Sequence, residues 1–270
     1  MKYRLIFFVV GVIFFLGLAS ISYMQNSKEH FLEITVKPSK DVYLLGEVVP
    51  LDILVKNKGA KSTKIFGGLA TQDGSFSVSI SRNNKTFKKY NYTNWGRADT
   101  KRKPIELDSG ESVSNLVTVF WNNKPKISDS LAPNAIKQAT EGKILTDYAF
   151  PESGDYYVKV SYFMYFTAEP ILLESEPIKI TIEKPVGENL EVWNKIKDNG
   201  EIAYFIQEGD FHIPSYKTEE REKLKQEIEQ IINQYPNSFY AESLQQSLEK
   251  FQAVEAKRQE SLQKLKQKQP

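Results

Sequence analysis

The strongest constraint on how this chain folds is a two-residue alternation that recurs, between turn signals, from residue 31 to residue 184. Phe31, Ile34 and Val36 lie in a run that stops at Pro38, and Gly46 opens a second run over 48–55 that ends at Asn57-Lys58-Gly59. A short run at 63–66 ends at Gly67-Gly68. Residues 76–80 and 86–90 face each other across Asn83-Asn84, a pair suited to a tight hairpin turn. Residues 105–107 turn through Asp108-Ser109-Gly110 into 113–121, and runs at 156–166 and 178–182 close the set. About eight strands at this spacing, with no helical repeat between them, predict a two-layer sandwich rather than a parallel βαβ sheet. A domain of about 150 residues buries roughly two-thirds of its unfolded surface, enough to fold without disulfides.

The period changes after Pro185-Val186-Gly187. Leu190, Trp193 and Ile196, then Ile202, Phe205 and Ile206, fit two short helices broken at 198–200. Thr218 is read as an N-cap with Arg221 at the capping-box position. Leu224, Ile228, Ile231, Ile232 and Tyr235 then mark one helical face up to Pro236. Asn237-Ser238 restart a helix whose face carries Tyr240, Leu244, Leu248 and Phe251. The reading is an all-β sandwich over 31–184, a helical subdomain over 187–252 and a basic helical tail over 253–270, where five basic side chains meet two acidic ones.

Three segments carry a resemblance. Tyr43-Leu44-Leu45-Gly46-Glu47-Val48-Val49 resembles the Y-x-x-G-E-x-V entry to the second strand of bacterial immunoglobulin-like and macroglobulin-like domains. Leu107-Asp108-Ser109-Gly110-Glu111-Ser112 resembles their L-x-x-G-E-S turn, and Gly154-Asp155-Tyr156-Tyr157-Val158 their G-x-Y-x-V strand. The resemblance implies an immunoglobulin-like sandwich in which the Tyr156 hydroxyl bonds nearby backbone and Val158 packs in the core. It implies no activity, because such folds host many functions. Tyr235-Pro236-Asn237-Ser238-Phe239-Tyr240-Ala241 is similar to the junction of tetratricopeptide-like repeats, but one unit stands here where a solenoid needs several. The expected helical hairpin packs on the sandwich or on itself, or offers a docking surface.

The N-terminus reads as an address. Lys2 and Arg4 precede an uncharged run, and small residues follow at Ala19, Ser20 and Ser22. This is the pattern of a signal peptide over 1–22, cleaved near Ser22 or after Gly17/Ala19. Residues 5–27 are all uncharged, which is also long enough for an uncleaved membrane anchor. Either way the positive flank places the rest of the chain in an extracytoplasmic space: periplasm, cell surface or medium. Lys2 and Arg4 are the only charges in the first 22 residues, so the surplus of 36 basic over 34 acidic side chains belongs to that segment. The remainder is neutral and offers no bulk attraction to nucleic acid.

The chain holds no cysteine, so disulfides, thiolate zinc sites, iron–sulfur centres, thiol catalysis, lipid attachment at cysteine and a macroglobulin thioester are not expected. Its two histidines, His30 and His212, do not form a zinc-protease motif, and neither a G-x-S-x-G elbow nor a glycine-rich phosphate loop occurs. No catalytic residue, metal ligand or cofactor is assigned.

The densest local anomaly is 82–103, with eight basic residues against Asp99 and aromatic residues interleaved. Lys88, Lys89, Tyr90, Tyr92, Trp95, Arg102 and Lys103 form the candidate face for a sugar, anionic polymer or headgroup. The plain alternative is an edge hairpin whose lysines block aggregation. The expected function is an exported, non-enzymatic binding or structural protein of the bacterial envelope, with another envelope protein or an anionic polymer as partner. A membrane-anchored assembly subunit, and a hydrolase using carboxylates or a metal held by Asp/Glu in the long 122–152 loop, are the alternatives.

Overall fold

The computed structural model describes residues 31–65, 69, 76–90, 104–122, 148–164 and 171–267. The N-terminal run 1–30, the candidate residues Tyr92, Trp95, Arg102 and Lys103, and residues 123–147 of the long loop lie outside them.

Among the described residues the strands are β1 (Leu32–Pro38), β2 (Val42–Leu44), β3 (Val49–Asn57), β4 (Thr63–Ile65), β5 (Phe76–Ser81), β6 (Lys88–Lys89), β7 (Ile105–Leu107), β8 (Ser112–Val119), β9 (Gly154–Met164), β10 (Ile171–Glu174) and β11 (Ile178–Glu183). Four helices follow: α1 (Glu188–Ile196), α2 (Gly200–Glu208), α3 (Thr218–Gln234) and α4 (Phe239–Gln267). The molecule as a whole is therefore a mixed strand-and-helix protein, with sheets up to Glu183 and helices from Glu188. Two elements escaped the sequence reading. β2 is only three residues long, and β10 is the far half of a hairpin arm whose rim the alternation does not mark.

One sheet has the order β1-β3-β8, a second runs β2-β11-β9-β5-β6 with β10 also on β9, and β4 pairs β7. Every pairing is antiparallel except β2 with β11. Alternation does the sorting. In β3, Val49, Leu51, Ile53 and Val55 are fully buried while Asp52 and Lys56 face outward, and in β9, Tyr156, Val158, Val160 and Tyr162 turn inward. Both inward rows join one apolar cluster with Ile34, Val78, Val119 and Ile180. Burial of a single such side chain is worth about 1.5–3 kcal/mol. The bond expected of Tyr156 is present: its hydroxyl donates to Glu152 O at 2.9 Å.

The helical part has its own cluster, built on Val192, Ile196, Ile202, Phe205, Ile228, Tyr240 and Leu244. Asn199 caps α2 by accepting from the Glu201 and Ile202 N–H groups, and Gly209 ends that helix with φ +67°. Three details differ from expectation. Leu190 is exposed rather than part of the buried face. Thr218 is the first residue of α3 rather than its cap; Lys217 holds that position without a side-chain bond, so the capping box is not made. The basic tail continues α4 as one helix to Gln267. No helix among the described residues is long and apolar enough to cross a membrane.

Candidate binding face and the joint beneath it

The β5–β6 hairpin positions the described part of the basic segment. Asn83 Oδ1 accepts from the Lys85 and Thr86 N–H groups at 2.9 Å each, and Asn84 takes the left-handed φ of +55°. This turn delivers Lys88 and Lys89 to the outer edge of the larger sheet, where both are exposed. They line a groove of about 830 Å³ with Arg82, Asn122, Tyr148 and Glu152.

The residues of the segment do not act alike. Arg82 lies on the Tyr156 ring at 4.4 Å, donates to Ser153 O at 3.1 Å and sits 3.9 Å from a Glu152 carboxylate oxygen. Much of its charge is thus already engaged by the chain itself. Phe87 is covered by the Lys159 ammonium at 5.0 Å. Lys88 and Lys89 remain on the groove rim as cations facing solvent.

Tyr90 departs from the surface-stacking part given to it by the sequence. It is 3% exposed, and its hydroxyl donates to Trp121 O at 2.9 Å while accepting from Phe120 N–H at 3.3 Å and Gln207 Nε2 at 3.2 Å. Burial pushes the phenol above its ordinary range. The physical reason is position: Tyr90 falls beside the fully buried Val78, to whose carbonyl its N–H donates at 2.8 Å, while Lys88 on the same face lies two residues further out on the groove rim. Its ring sits in the sheet core and its hydroxyl reaches the helices.

That hydroxyl belongs to a joint between sheets and helices that sequence reasoning missed. Gln207 on α2 accepts from the Trp121 N–H at 3.0 Å. Tyr240 on α4 donates its hydroxyl to Leu45 O, and desolvation raises its pKa. Trp193 on α1 stacks on Tyr240 at 5.9 Å and meets Tyr148 edge-on at 5.0 Å. Opposite Trp193 stands Gly46, φ +84°, where an added Cβ would lie 2.1 Å from the indole ring. Beside it Glu47, 8% exposed, accepts from Leu44 N–H at 2.8 Å and pairs Lys40 at 2.6 Å. The G-E pair of the sequence motif therefore builds the turn on which the helical part rests. Within the helical part, Asn189 on α1 holds the start of α4, accepting from Phe239 N–H at 2.8 Å and Ser238 Oγ at 3.0 Å.

His212 lies 3.5 Å from Glu201 and edge-on to Tyr204 at 5.1 Å, rather than standing alone. Among the described residues no group of three or more His, Asp or Glu side chains converges as a metal site would require.

No family model and no curated protein matches the chain. Solved structures that resemble it include a β-glucosidase from Erythrobacter marinus, 12% identical over 56% of this chain and 15% of that one, TM-score 0.28. The sporulation control protein Spo0M from Bacillus subtilis is 12% identical over 61% of this chain and 53% of that one, TM-score 0.30. A CARDB domain from Pyrococcus furiosus, solved with di-metal ions, is 13% identical over 56% of this chain and 87% of that one, TM-score 0.25. The chain thus spans less than two-thirds of the first two, and likenesses this distant carry no argument about activity.

Proposed function

We propose that this chain is an extracytoplasmic binding or structural protein of the bacterial envelope, an immunoglobulin-like sandwich bearing a docked helical hairpin. The immunoglobulin-like reading is supported by the split of the N-terminal strand between layers: β1 lies on β3 in one sheet, and β2 lies parallel to β11 in the other. The observation that carries the functional reading is the groove beside the hairpin, which exposed Lys88 and Lys89 line together with Tyr148 and Tyr156. Such an open, cation-rimmed groove suits an anionic polymer or the acidic surface of a partner protein. Arg102 and Lys103 belong to the same basic segment of the sequence and are tested with it.

Binding to an anionic wall polymer or to acidic liposomes is expected to weaken with added salt, and to weaken further when Lys88, Lys89, Arg102 and Lys103 are changed to Ala. Binding indifferent to both treatments overturns the proposal. A second reading, the membrane-anchored assembly subunit, is favoured by the uncharged stretch 5–27. Sequencing the N-terminus of the exported protein decides it: a first residue near Tyr23 removes the anchor, and an intact Met1 retains it.

A further inference from the structure

β1 ends its sheet: it pairs with β3 on one side, and among the described residues nothing pairs with the other. The direction of its backbone groups follows from two bonds. Lys58 N–H donates to Phe31 O, and Ser39 N–H donates to Pro50 O, so the odd-numbered residues of this segment face β3. The N–H and C=O groups of Leu32, Ile34 and Val36 therefore point to the open side. They border a groove of about 540 Å³ whose other wall is Leu172–Ser175 of the facing sheet. Side chains alternate with the backbone: Leu32, Ile34 and Val36 are buried, while Glu33, Thr35 and Lys37 lie on the outer face.

We propose that this edge binds a second copy of this chain, β1 against β1 antiparallel about a two-fold axis at Thr35, so that two three-stranded sheets become one. The sequence of the edge selects that register. Only registers that bring even-numbered residues opposite each other satisfy the free backbone groups. With the axis at Thr35, Ile34 and Val36 exchange N–H and C=O with Val36 and Ile34 of the second copy. Leu32 N–H meets the carbonyl of Pro38, whose missing N–H leaves the Leu32 carbonyl to solvent at the end of the paired stretch.

The charges then agree. Glu33 stands opposite Lys37 of the second copy at both ends, and Thr35 faces Thr35 on the axis. Within each copy Glu33 is already opposite Lys56, and Lys37 opposite Asp52. A row across the joined sheet reads Lys56, Glu33, then Lys37 and Asp52 of the second copy, alternating in sign throughout. Shifting the axis to Ile34 or Val36 keeps the backbone bonds and loses every one of these new charge pairs. An edge guarded against pairing carries a like-charged row or an inward-pointing charge; this one is self-complementary. The inference rests on β1 alone and stands whether or not the basic groove binds a polymer.

The chain has no cysteine, which makes a direct test available with the full-length protein. On the axis, facing residues of a non-hydrogen-bonded pair lie about 4.5 Å apart at Cα, within disulfide reach. Thr35→Cys is expected to cross-link to a covalent dimer under mild oxidation. Leu116→Cys, at an outer-face position that is 61% exposed, is expected to do so at least about tenfold more slowly. By sedimentation, Glu33→Lys and Lys37→Glu each weaken self-association by roughly tenfold. An equimolar mixture of the two single variants re-forms a dimer at wild-type strength, because the mixed pair restores both opposite-charge contacts. Cross-linking of Thr35→Cys no faster than the control, cross-linking to a different protein instead, or a mixture as weak as its components overturns the proposal.

Discussion

The turns at Gly46 and Gly110 share one construction. In each, a glutamate returns its N–H to a carbonyl three residues back, Glu47 to Leu44 at 2.9 Å and Glu111 to Asp108 at 3.0 Å. Each glutamate carboxylate then accepts the N–H of that same residue, both at 2.8 Å. The glycines have nearly equal φ, +84° and +83°, which is the left-handed conformation the third position of a type II turn requires. Their surroundings are opposite. A Cβ at Gly110 would meet nothing within 4 Å, whereas one at Gly46 would penetrate the Trp193 ring. The same local device is a corner from β7 into β8 with open space beside its glycine in one place, and a seat for the helical part in the other. Glycine is demanded once by the backbone alone and once by backbone and neighbour together.

This comparison is open to attack at several strengths. Trp193→Ala should have the largest effect, about 3–5 kcal/mol of unfolding free energy in a urea titration, since it empties the joint. Gly46→Ala comes next. It should cost about 1–2 kcal/mol for the conformation and more for the collision, and the excess should vanish in the Trp193→Ala background, as a double-mutant cycle would show. An excess that persists without the indole breaks the comparison. Gly110→Ala should cost only the conformational part, about 1–2 kcal/mol, with no dependence on Trp193. Tyr240→Phe removes the hydroxyl that bonds Leu45 O beside Gly46 and leaves that carbonyl without its side-chain donor, for about 1–1.5 kcal/mol. Appearance of a separate near-ultraviolet unfolding transition in these joint variants, but not in Gly110→Ala, would sharpen the distinction between a seat and a corner.

The smallest effect is expected far from both turns, at the exposed Asp155. Hydrogen bonds from Lys179 and Thr181 lower its carboxyl pKa below the ordinary 3.8. A depressed native pKa adds stability above the unfolded value and loses it as pH falls through the native one. Thermal unfolding of Asp155→Asn should therefore fall slightly below wild type at neutral pH and converge with it in acid. The gap should narrow in high salt, because both partners are solvent-exposed.

The sheet part was largely legible because its alternation is a local property. Which face of β3 or β9 is buried follows from period two, whatever strand lies beside it. The hairpin at Asn83-Asn84, the glycine corners and the helix break at Asn199 were likewise written in residues next to one another. The candidate face was legible only in part. Lys88 and Lys89 stand on the surface as their charge requires, but Tyr90 looks identical in sequence whether its ring meets a ligand or the core. Glu152 and Tyr148 on the groove gave no signal at all, since they sit far along the chain from the lysines they accompany.

By itself, then, the amino-acid order determined the elements and their buried faces, because periodicity and turn chemistry act over a few residues. Only the tertiary structure decided that Tyr90, Gln207, Trp193 and Tyr240 tie the sheets to the helices. These contacts join residues up to 195 positions apart. No local preference specifies a bond over that separation; it exists only where the folded sheets and helices bring the two residues together.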